Sequence, residues 1–229
     1  MKVIFASSVL ADGPMGVTKT LAEDKLANRL KFIQAHFGDS ALAPVMIDSM
    51  HGATIRVATT VDATRAFPGC DGLFTTEPNL PIVITHQDCV PIVIRDTAGT
   101  FVSVVHAGWK GTLAGILPRA IQLCVDHGKL VKDLMIDFGP CIQPCHFIVK
   151  EDVAEKFRHL SLQTVTNTDP GEASVNLLAA LRTQALSAGV NPASMKFSRD
   201  CTFHTPGLAS WRRDHNPEAN MITVAMLVK

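Results

Sequence analysis

Among the histidines and cysteines in the first half of the 229-residue sequence, three are candidates for binding one transition metal: His51, Cys89 and His106. Two imidazoles and one thiolate form a borderline-soft set that suits zinc, and a catalytic zinc site commonly has three protein ligands and one open position. Gly52 and Gly108 stand beside the histidines and favour tight turns or close backbone approach. We favour a zinc site that performs chemistry on a small polar substrate. The alternative is that these residues bind no metal, with Cys89 simply buried in the core and His51 exposed on the surface.

Buried β-strands are the elements that would position these ligands. Apolar, β-branched segments predict five strands in this part of the chain, at 43–50, 53–60, 81–85, 91–94 and 100–105. Cys89 ends the polar insertion His86-Gln87-Asp88-Cys89 between the third and fourth strands, and His106 follows the fifth. His51 separates the first two, which we expect to be neighbours. Such polar insertions at strand ends are where sites are built on rigid scaffolds.

Helical periodicity predicts the remaining elements. The expected helices are 18–36, about 116–125, 151–159 and 176–188, and the expected further strands are 134–138 and 221–228. Pro118 is tolerated near a helix start, Asn176 is a suitable N-cap, and Gly189 is a suitable helix stop. We therefore expect one α/β domain over residues 1–229.

Composition restricts the class of protein and its partners. Hydrophobic residues make up 47% and charged residues 18%, with a net charge of zero, which is typical of a globular protein without a nucleic-acid-binding surface. No signal peptide is recognised, and no apolar run approaches the about 20 residues of a membrane span. We expect a cytoplasmic protein with no membrane partner, monomeric or a weak homo-oligomer, with its six cysteines reduced.

Several ordered motifs resemble the laccase-domain family, also called the multi-copper polyphenol oxidoreductase or purine nucleoside phosphorylase family. The motifs are Asn28-Arg29, Asp71-Gly72-Leu73-Phe74-Thr75, Asp88-Cys89-Val90-Pro91, Val105-His106-Ala107-Gly108-Trp109-Lys110-Gly111, Gly139-Pro140-Cys141-Ile142-Gln143-Pro144-Cys145, Cys201-Thr202 and Ser210-Trp211-Arg212-Arg213. The resemblance runs from about residue 28 to the C-terminus and implies a four-layer α-β-β-α sandwich with mixed sheets. It also implies that His51, Cys89 and His106 hold one zinc ion per chain. The activities implied are zinc-dependent phosphorolysis of adenosine, inosine and methylthioadenosine, adenosine deamination, phenol oxidation and editing of a peptidoglycan precursor.

The sequence departs from the family pattern around the expected substrate site. An Arg-Gly-Gly-Val-Ser-like loop near the N-terminus is replaced by Gly13-Pro14-Met15-Gly16-Val17-Thr18, and Trp109-Lys110 stands where Trp-Arg is usual. Cys145-His146-Phe147-Ile148 replaces Cys-Cys-Tyr-Glu, Asn176 replaces an Asp, and a Gly-Arg pair is missing from residues 216–221. The metal ligands match the family pattern, whereas the residues expected around the substrate differ from it.

Four polar residues are candidates for further roles, each with a structural alternative. Asp88 would act as a general base or orient a ligand, or else form a turn. Lys110, Arg212 and Arg213 are the candidates for binding phosphate, although structural ion pairing explains the arginines equally well. For the segment 141–145 we favour a proline-bracketed turn over pocket-lining cysteines, and we expect His146 and His204 to be incidental.

Three classes of function follow from these residues. The first, which we favour, is a zinc enzyme acting on a purine nucleoside, with phosphate as co-substrate or with deamination of adenosine. The second is copper-dependent polyphenol oxidation, which the nine histidines without any His-x-His pair do not favour. The third is a cysteine hydrolase or amidase with Cys89 as nucleophile and His106 as base. A non-enzymatic binding role is a weaker fourth class.

Overall fold

The computed structural model of the protein describes residues 1–16 and 23–229. Its α-helices in this part of the chain are α1 Glu23–Phe37, α2 Trp109–Leu113, α3 Ile116–Asp126, α4 Glu151–Leu160, α5 Leu177–Ser187 and α6 Trp211–Asp214. Its strands are β1 Lys2–Ser7, β2 Val45–Asp48, β3 Ile55–Val57, β4 Ala66–Pro68, β5 Gly72–Thr75, β6 Ile82–His86, β7 Val90–Asp96, β8 Val102–Ala107, β9 Leu134–Phe138, β10 Ile148–Lys150, β11 Val165–Asn167, β12 Glu172–Val175, β13 Met195–Phe197 and β14 Met221–Val228. The chain is therefore mixed α/β, as expected.

The strands form three sheets within the described residues. One has five strands in the order β1-β14-β6-β2-β4, antiparallel at β1, β14 and β6 and parallel at β6, β2 and β4. The second has six strands in the order β13-β9-β7-β8-β5-β3, with parallel pairs at its two edges and antiparallel pairs between them. The third is the antiparallel set β10-β12-β11.

Three large buried apolar clusters join these elements. One contains residues of both large sheets, such as Ile84 of β6 and Val104 of β8. A second joins α1 to the five-stranded sheet, for example Phe32 to Val224. The third and most extensive joins α3 and α5 to the six-stranded sheet. Burial of apolar area at about 25 cal/mol per Å² is the main source of stability for such clusters.

The expected elements of the chain centre and C-terminus are present. The predicted strands 134–138 and 221–228 match β9 and β14, and α3 begins two residues before Pro118. The Asn176 side chain accepts a hydrogen bond from the backbone of Ala179 and caps α5, while Gly189 beyond its end has φ +88°. The predicted helix 18–36 corresponds to α1; its residues 18–22, like Val17 of the N-terminal segment, lie outside the described residues.

The prediction that the strands at 43–50 and 53–60 are neighbours is wrong. β2 pairs in parallel with β4 and β6, whereas β3 pairs in parallel with β5 in the other large sheet. The connection between them bends at His51, which has φ +58°, and its backbone amides bind the Asp71 carboxylate instead of forming a hairpin. The chain thus crosses from one sheet to the other at His51. Within residues 1–16 and 23–229, no helix has the length and apolar character needed to cross a membrane.

Candidate metal centre

Three strand ends bring the predicted ligands together. His51 lies in the β2–β3 connection, Cys89 lies in the turn between β6 and β7, and His106 is near the end of β8. One ligand atom of each residue lies within 4.8 Å of the others, and the two imidazole centroids are 4.9 Å apart at an interplanar angle of 77°. His106 is buried, Cys89 is half-buried and His51 is exposed. The cluster therefore has one face toward the interior and one toward solvent.

Asp71 organises two of the three ligands. Its side chain is fully buried and accepts hydrogen bonds from the backbone amides of Met50, His51 and Gly52 at 3.1, 2.7 and 2.8 Å. Nδ1 of His106 lies 3.5 Å from the same carboxylate. Burial opposes the charge of Asp71, but the His106 contact and the amides of Gly52 and His51 outweigh it and lower the pKa of the carboxyl. Since Nδ1 contacts Asp71, Nε2 is the nitrogen of His106 left for a metal.

Cys89 and His106 shift each other's protonation. Burial would raise the pKa of the Cys89 thiol, but the charge and hydrogen bond of His106, helped by His51, lower it to about 6. Burial would likewise lower the pKa of His106, but the Cys89 thiolate and Asp71 raise it to about 9. A thiolate is the form of cysteine that binds metals and also the form that acts as a nucleophile. The electrostatics therefore agree with both a metal centre and a cysteine nucleophile.

A cavity of about 420 Å³ adjoins the three ligands. This volume falls within the range of small-molecule sites, about 300–1,000 Å³. Its wall also includes a group of aromatic and aliphatic side chains, namely Trp109, Ile142, Phe147, Leu177 and Trp211. Polar groups on the same wall include Ser49, Gln87 and Asn220. The arrangement offers flat apolar faces and several polar contacts beside the ligands, as small-molecule sites commonly do.

His86 lies in the cavity wall as a neutral side chain. It is buried, and its Nε2 lies 2.9 Å from the Thr223 hydroxyl. Burial, together with the charge of His106, lowers the pKa of His86 to about 3. Its Nδ1 has no hydrogen-bond partner among the described residues. A neutral imidazole adds a polar contact without adding charge.

Asp88 supports the cavity wall through two hydrogen bonds. Its carboxylate accepts one from the Thr202 hydroxyl at 2.6 Å and one from the backbone amide of Arg212 at 2.7 Å. Its own φ of +67° is unusual for a residue other than glycine. Both carboxylate oxygens thus contact groups of the protein. This geometry favours a positioning role for Asp88 over proton transfer.

The three candidate phosphate-binding residues have different surroundings. Arg212 lines the cavity, and its Nη1 donates to the carbonyls of His146 and Ile148 at 3.1 and 2.9 Å. Arg213 donates to the carbonyls of Thr202, Phe203 and Leu208 and pairs with Asp214, and it does not line the cavity. Lys110 is exposed, with its ammonium 5.6 Å from the Trp109 ring centroid, and it also lies outside the cavity lining. Arg212 is therefore the candidate best placed to contact a substrate.

Two features of the site escape sequence reasoning. The role of Asp71 is not predicted although its motif is recognised; a charged residue directly before the buried strand β5 is the available signal. A second group of potential ligands, Cys145, His146, Cys201 and His204, is also brought together. Its signals are the adjacent Cys145-His146 pair and the Cys201-x-x-His204 spacing. The sequence instead predicts a turn at Cys145, a buried apolar role for Cys201 and no specific role for His146 and His204.

The donor set of the first cluster fits a transition metal. Two imidazoles and a thiolate within 4.8 Å of one another suit zinc, and His106 has the carboxylate partner that metal-binding histidines usually have. Gly108 allows the close approach of two ligands, because a Cβ there would lie 2.9 Å from Cys89 Sγ and 3.0 Å from His51 Cδ2. The same donor set also suits copper. The fold and the site thus define a mixed α/β protein with a Cys/His cluster that could hold a metal ion beside a cavity.

Comparisons with known proteins assign the family. The chain belongs to the family described as multi-copper polyphenol oxidoreductase laccase, whose sequence profile matches residues 15–228. It is 31% identical over 191 residues to a protein of Geobacillus stearothermophilus named purine nucleoside phosphorylase YlmD, covering 78% of this chain and 70% of that protein. It is 33% identical over 141 residues to adenosine deaminase RL5 of an unknown prokaryotic organism, covering 60% of this chain and 54% of that protein. The crystal structure of YlmD superposes with a TM-score of 0.88 at 27% identity, covering 94% of this chain and 85% of that one.

Replacement of Asp71 by asparagine is expected to weaken metal binding at this centre by about 10- to 100-fold, the usual effect of losing a partner of a ligand. The asparagine side chain would lack the charge that His106 faces and one of the acceptors used by the amides of residues 50–52. Competition with a chromogenic chelator measures the change. Asp62→Asn is the matched control, because Asp62 is also a buried carboxylate that accepts backbone and side-chain hydrogen bonds, but from Thr59 and not from any of the three ligands. An unchanged affinity in Asp71→Asn would remove Asp71 from the centre.

Proposed function

We propose that this protein is a zinc-dependent enzyme that acts on purine nucleosides, with phosphorolysis as its reaction. The observation that carries the proposal is the His51-Cys89-His106 cluster beside a cavity with aromatic walls. The names of relatives at about 30% identity support the substrate class. In phosphorolysis, phosphate forms a bond to the anomeric carbon of ribose while the bond to the base nitrogen breaks and the base leaves with the electron pair.

The residues of the chain have separate tasks in this proposal. His51, Cys89 and His106 would hold the metal. A bound zinc ion supplies Lewis-acid polarisation of an oxygen atom or a water of near-neutral pKa. Trp109 and Trp211 offer ring faces for the purine. The guanidinium nitrogens of Arg212 other than Nη1 have no hydrogen-bond partner in residues 1–16 and 23–229, which leaves them available to phosphate.

A cysteine hydrolase or amidase is the second candidate. It is favoured by Cys89 lying against His106, whose imidazole in turn faces the Asp71 carboxylate, an order of groups that resembles a nucleophile, base and orienting acid. A thiolate bound to zinc is a poor free nucleophile. Metal content therefore separates the two candidates.

The proposal is tested on the purified protein by metal analysis together with product analysis. Zinc bound at this centre and release of hypoxanthine from inosine only when phosphate is present would support phosphorolysis. Ammonia release from adenosine would point to deamination, and copper with phenol oxidation to the oxidase alternative. Absence of metal from this centre, with rapid alkylation of Cys89, would replace the proposal with the cysteine hydrolase.

The adjacent arginines give a second test with a built-in control. Arg212→Ala is expected to raise the KM for phosphate by about tenfold or more, the effect of losing a charge-assisted hydrogen bond, with a smaller change in the KM for inosine. Arg213→Ala is expected instead to lower the free energy of unfolding by about 2 kcal/mol, because its guanidinium joins three backbone carbonyls. Steady-state kinetics measure the change in the KM for phosphate, and urea unfolding measures the change in the free energy of unfolding. A phosphate KM that changes in Arg213→Ala alone would reverse the assignment.

We also infer that residues 1–229 form one domain with the layer order α-β-β-α. The inference is supported by the cluster that α1 shares with the five-stranded sheet, the cluster shared by the two large sheets, and the cluster that α3 and α5 share with the six-stranded sheet. A single cooperative unfolding transition, the same by fluorescence and by circular dichroism, is the expected behaviour.

A further inference from the structure

We propose that Cys145, His146, Cys201 and His204, here called the tetrad, form a second metal site that binds zinc and holds two loops together. One ligand atom from each of the four residues lies within 4.8 Å of the others. No residue is shared with the His51-Cys89-His106 centre. Two thiolates and two imidazoles are a donor set of structural zinc sites, in which all four positions of the tetrahedron come from the protein.

The three distances from Cys145 Sγ to the other members of the tetrad are close to those of ligands around one ion. With a Zn–S length of about 2.3 Å, the two sulfurs of a tetrahedral site lie about 3.8 Å apart, and Cys145 Sγ and Cys201 Sγ are 3.8 Å apart. A zinc-bound sulfur and nitrogen lie about 3.5 Å apart by the same geometry. Cys145 Sγ is 3.4 Å from His146 Nδ1 and 3.8 Å from His204 Nδ1. A disulfide would require the sulfurs to be about 2.05 Å apart.

Two loops far apart in the sequence supply the tetrad. Cys145 and His146 precede β10, and Cys201 and His204 lie between β13 and α6. The backbone already joins these loops, because Thr202 donates to the Cys141 carbonyl at 3.1 Å. The amide of Gln143 also approaches Cys201 Sγ at 3.4 Å. Amide donors of this kind stabilise a metal-bound thiolate.

The imidazoles of the tetrad are oriented by their neighbours. The His146 ring stacks on Phe203 with centroids 3.8 Å apart, and it meets the His204 ring edge-on at 4.1 Å. Cys201 is buried, whereas Cys145 and His204 are exposed. A metal ion can therefore enter from solvent and find ligands that are already oriented. Soft thiolates select zinc over magnesium or calcium.

A metal in the tetrad would stabilise the wall of the substrate cavity. The carbonyl of His146 accepts a hydrogen bond from Arg212, and Thr202 donates its hydroxyl to Asp88, which in turn holds the Arg212 amide. The carbonyls of Thr202 and Phe203 accept hydrogen bonds from Arg213. Joining the two loops would thus fix the base of α6, which carries Arg212. The proposed role is structural, and it does not depend on the reaction that the cavity performs.

Metal analysis of matched variants of the full chain tests the proposal. After exchange into zinc-buffered solution, the wild-type protein should hold two zinc ions per chain, Cys145→Ser/His204→Ala should hold one, and Cys89→Ala should also hold one. Combining the three substitutions should leave none. His159→Ala, which removes an exposed histidine outside both clusters, should keep two.

Cobalt spectroscopy provides a readout that is independent of activity. Co²⁺ added to Cys89→Ala should give the thiolate charge-transfer bands of a tetrahedral site, and these bands should vanish when Cys145→Ser and Cys201→Ser are both added. Two results would overturn the proposal. One is a zinc content in the wild type that falls to zero in Cys89→Ala and does not change in Cys145→Ser/His204→Ala. The other is a Cys145–Cys201 disulfide found by mass spectrometry in protein that binds only one metal.

Discussion

Cys89→Ala is expected to remove the metal from the His51-Cys89-His106 centre and to reduce nucleoside turnover by more than about 100-fold. Loss of a mere partner of a ligand costs about 10- to 100-fold in metal affinity or activity, so loss of a ligand should cost more. The fold should persist, because Cys89 is half-buried in a turn and its side chain belongs to none of the three large apolar clusters. Mass spectrometry for metal and steady-state kinetics measure the two effects, and circular dichroism measures the fold.

Cys124→Ala provides the control for this substitution. Cys124 is fully buried in α3, and burial raises the pKa of its thiol to about 12, so it offers no thiolate at neutral pH. Metal content and turnover should both be retained in this variant. Turnover that survives in metal-depleted Cys89→Ala would contradict a catalytic metal. Turnover that is lost while the metal count stays at the wild-type value would assign Cys89 to the nucleophile of the hydrolase alternative.

The convergence of the three ligands is foreseeable because each follows a strongly apolar strand. Short β-branched runs predict β6, β7 and β8, and polar residues at the ends of such strands are where sites are built. Cys89 and His106 lie at the same end of the antiparallel pair β7 and β8, whereas His51 follows β2 of the other large sheet. The structure brings the three side chains together, while their binding of a metal stays a prediction. The family resemblance, drawn from the ordered motifs, agrees with the match over residues 15–228.

Features that depend on long-range contacts are not predicted. Cys145 and Cys201 are 56 residues apart, and neither lies next to a predicted apolar strand whose register would fix its position. The predicted pairing of the strands at 43–50 and 53–60 is wrong for a related reason. The short connection His51-Gly52 is compatible with a hairpin, but its backbone amides bind the Asp71 carboxylate, which is distant in the sequence. Local sequence patterns predict where a strand or helix forms. Which strands pair with each other depends on side chains elsewhere in the chain.

Gly108→Ala is expected to disrupt the centre without unfolding the protein. Gly108 precedes α2 with φ −76° and ψ 173°, an extended conformation that alanine adopts freely. The added Cβ would nevertheless lie 2.9 Å from Cys89 Sγ and 3.0 Å from His51 Cδ2. Both ligands would have to move, although metal–ligand distances tolerate only about 0.2 Å. We expect a loss of turnover of about 100-fold, the effect of a misplacement near 1 Å, together with weaker metal retention under chelation.

Gly128→Ala shows the opposite pattern and serves as the comparison. Gly128 has φ +75° and open space around the position of a Cβ, so alanine there is strained but touches nothing. Its expected cost is about 1 kcal/mol in unfolding free energy, with metal retention and turnover unchanged. The pair thereby separates backbone strain from steric pressure on the ligands. Gly108→Ala that keeps both metal and turnover would mean that Cys89 and His51 can bind from positions farther from the start of α2, and the proposed geometry of the centre would be wrong.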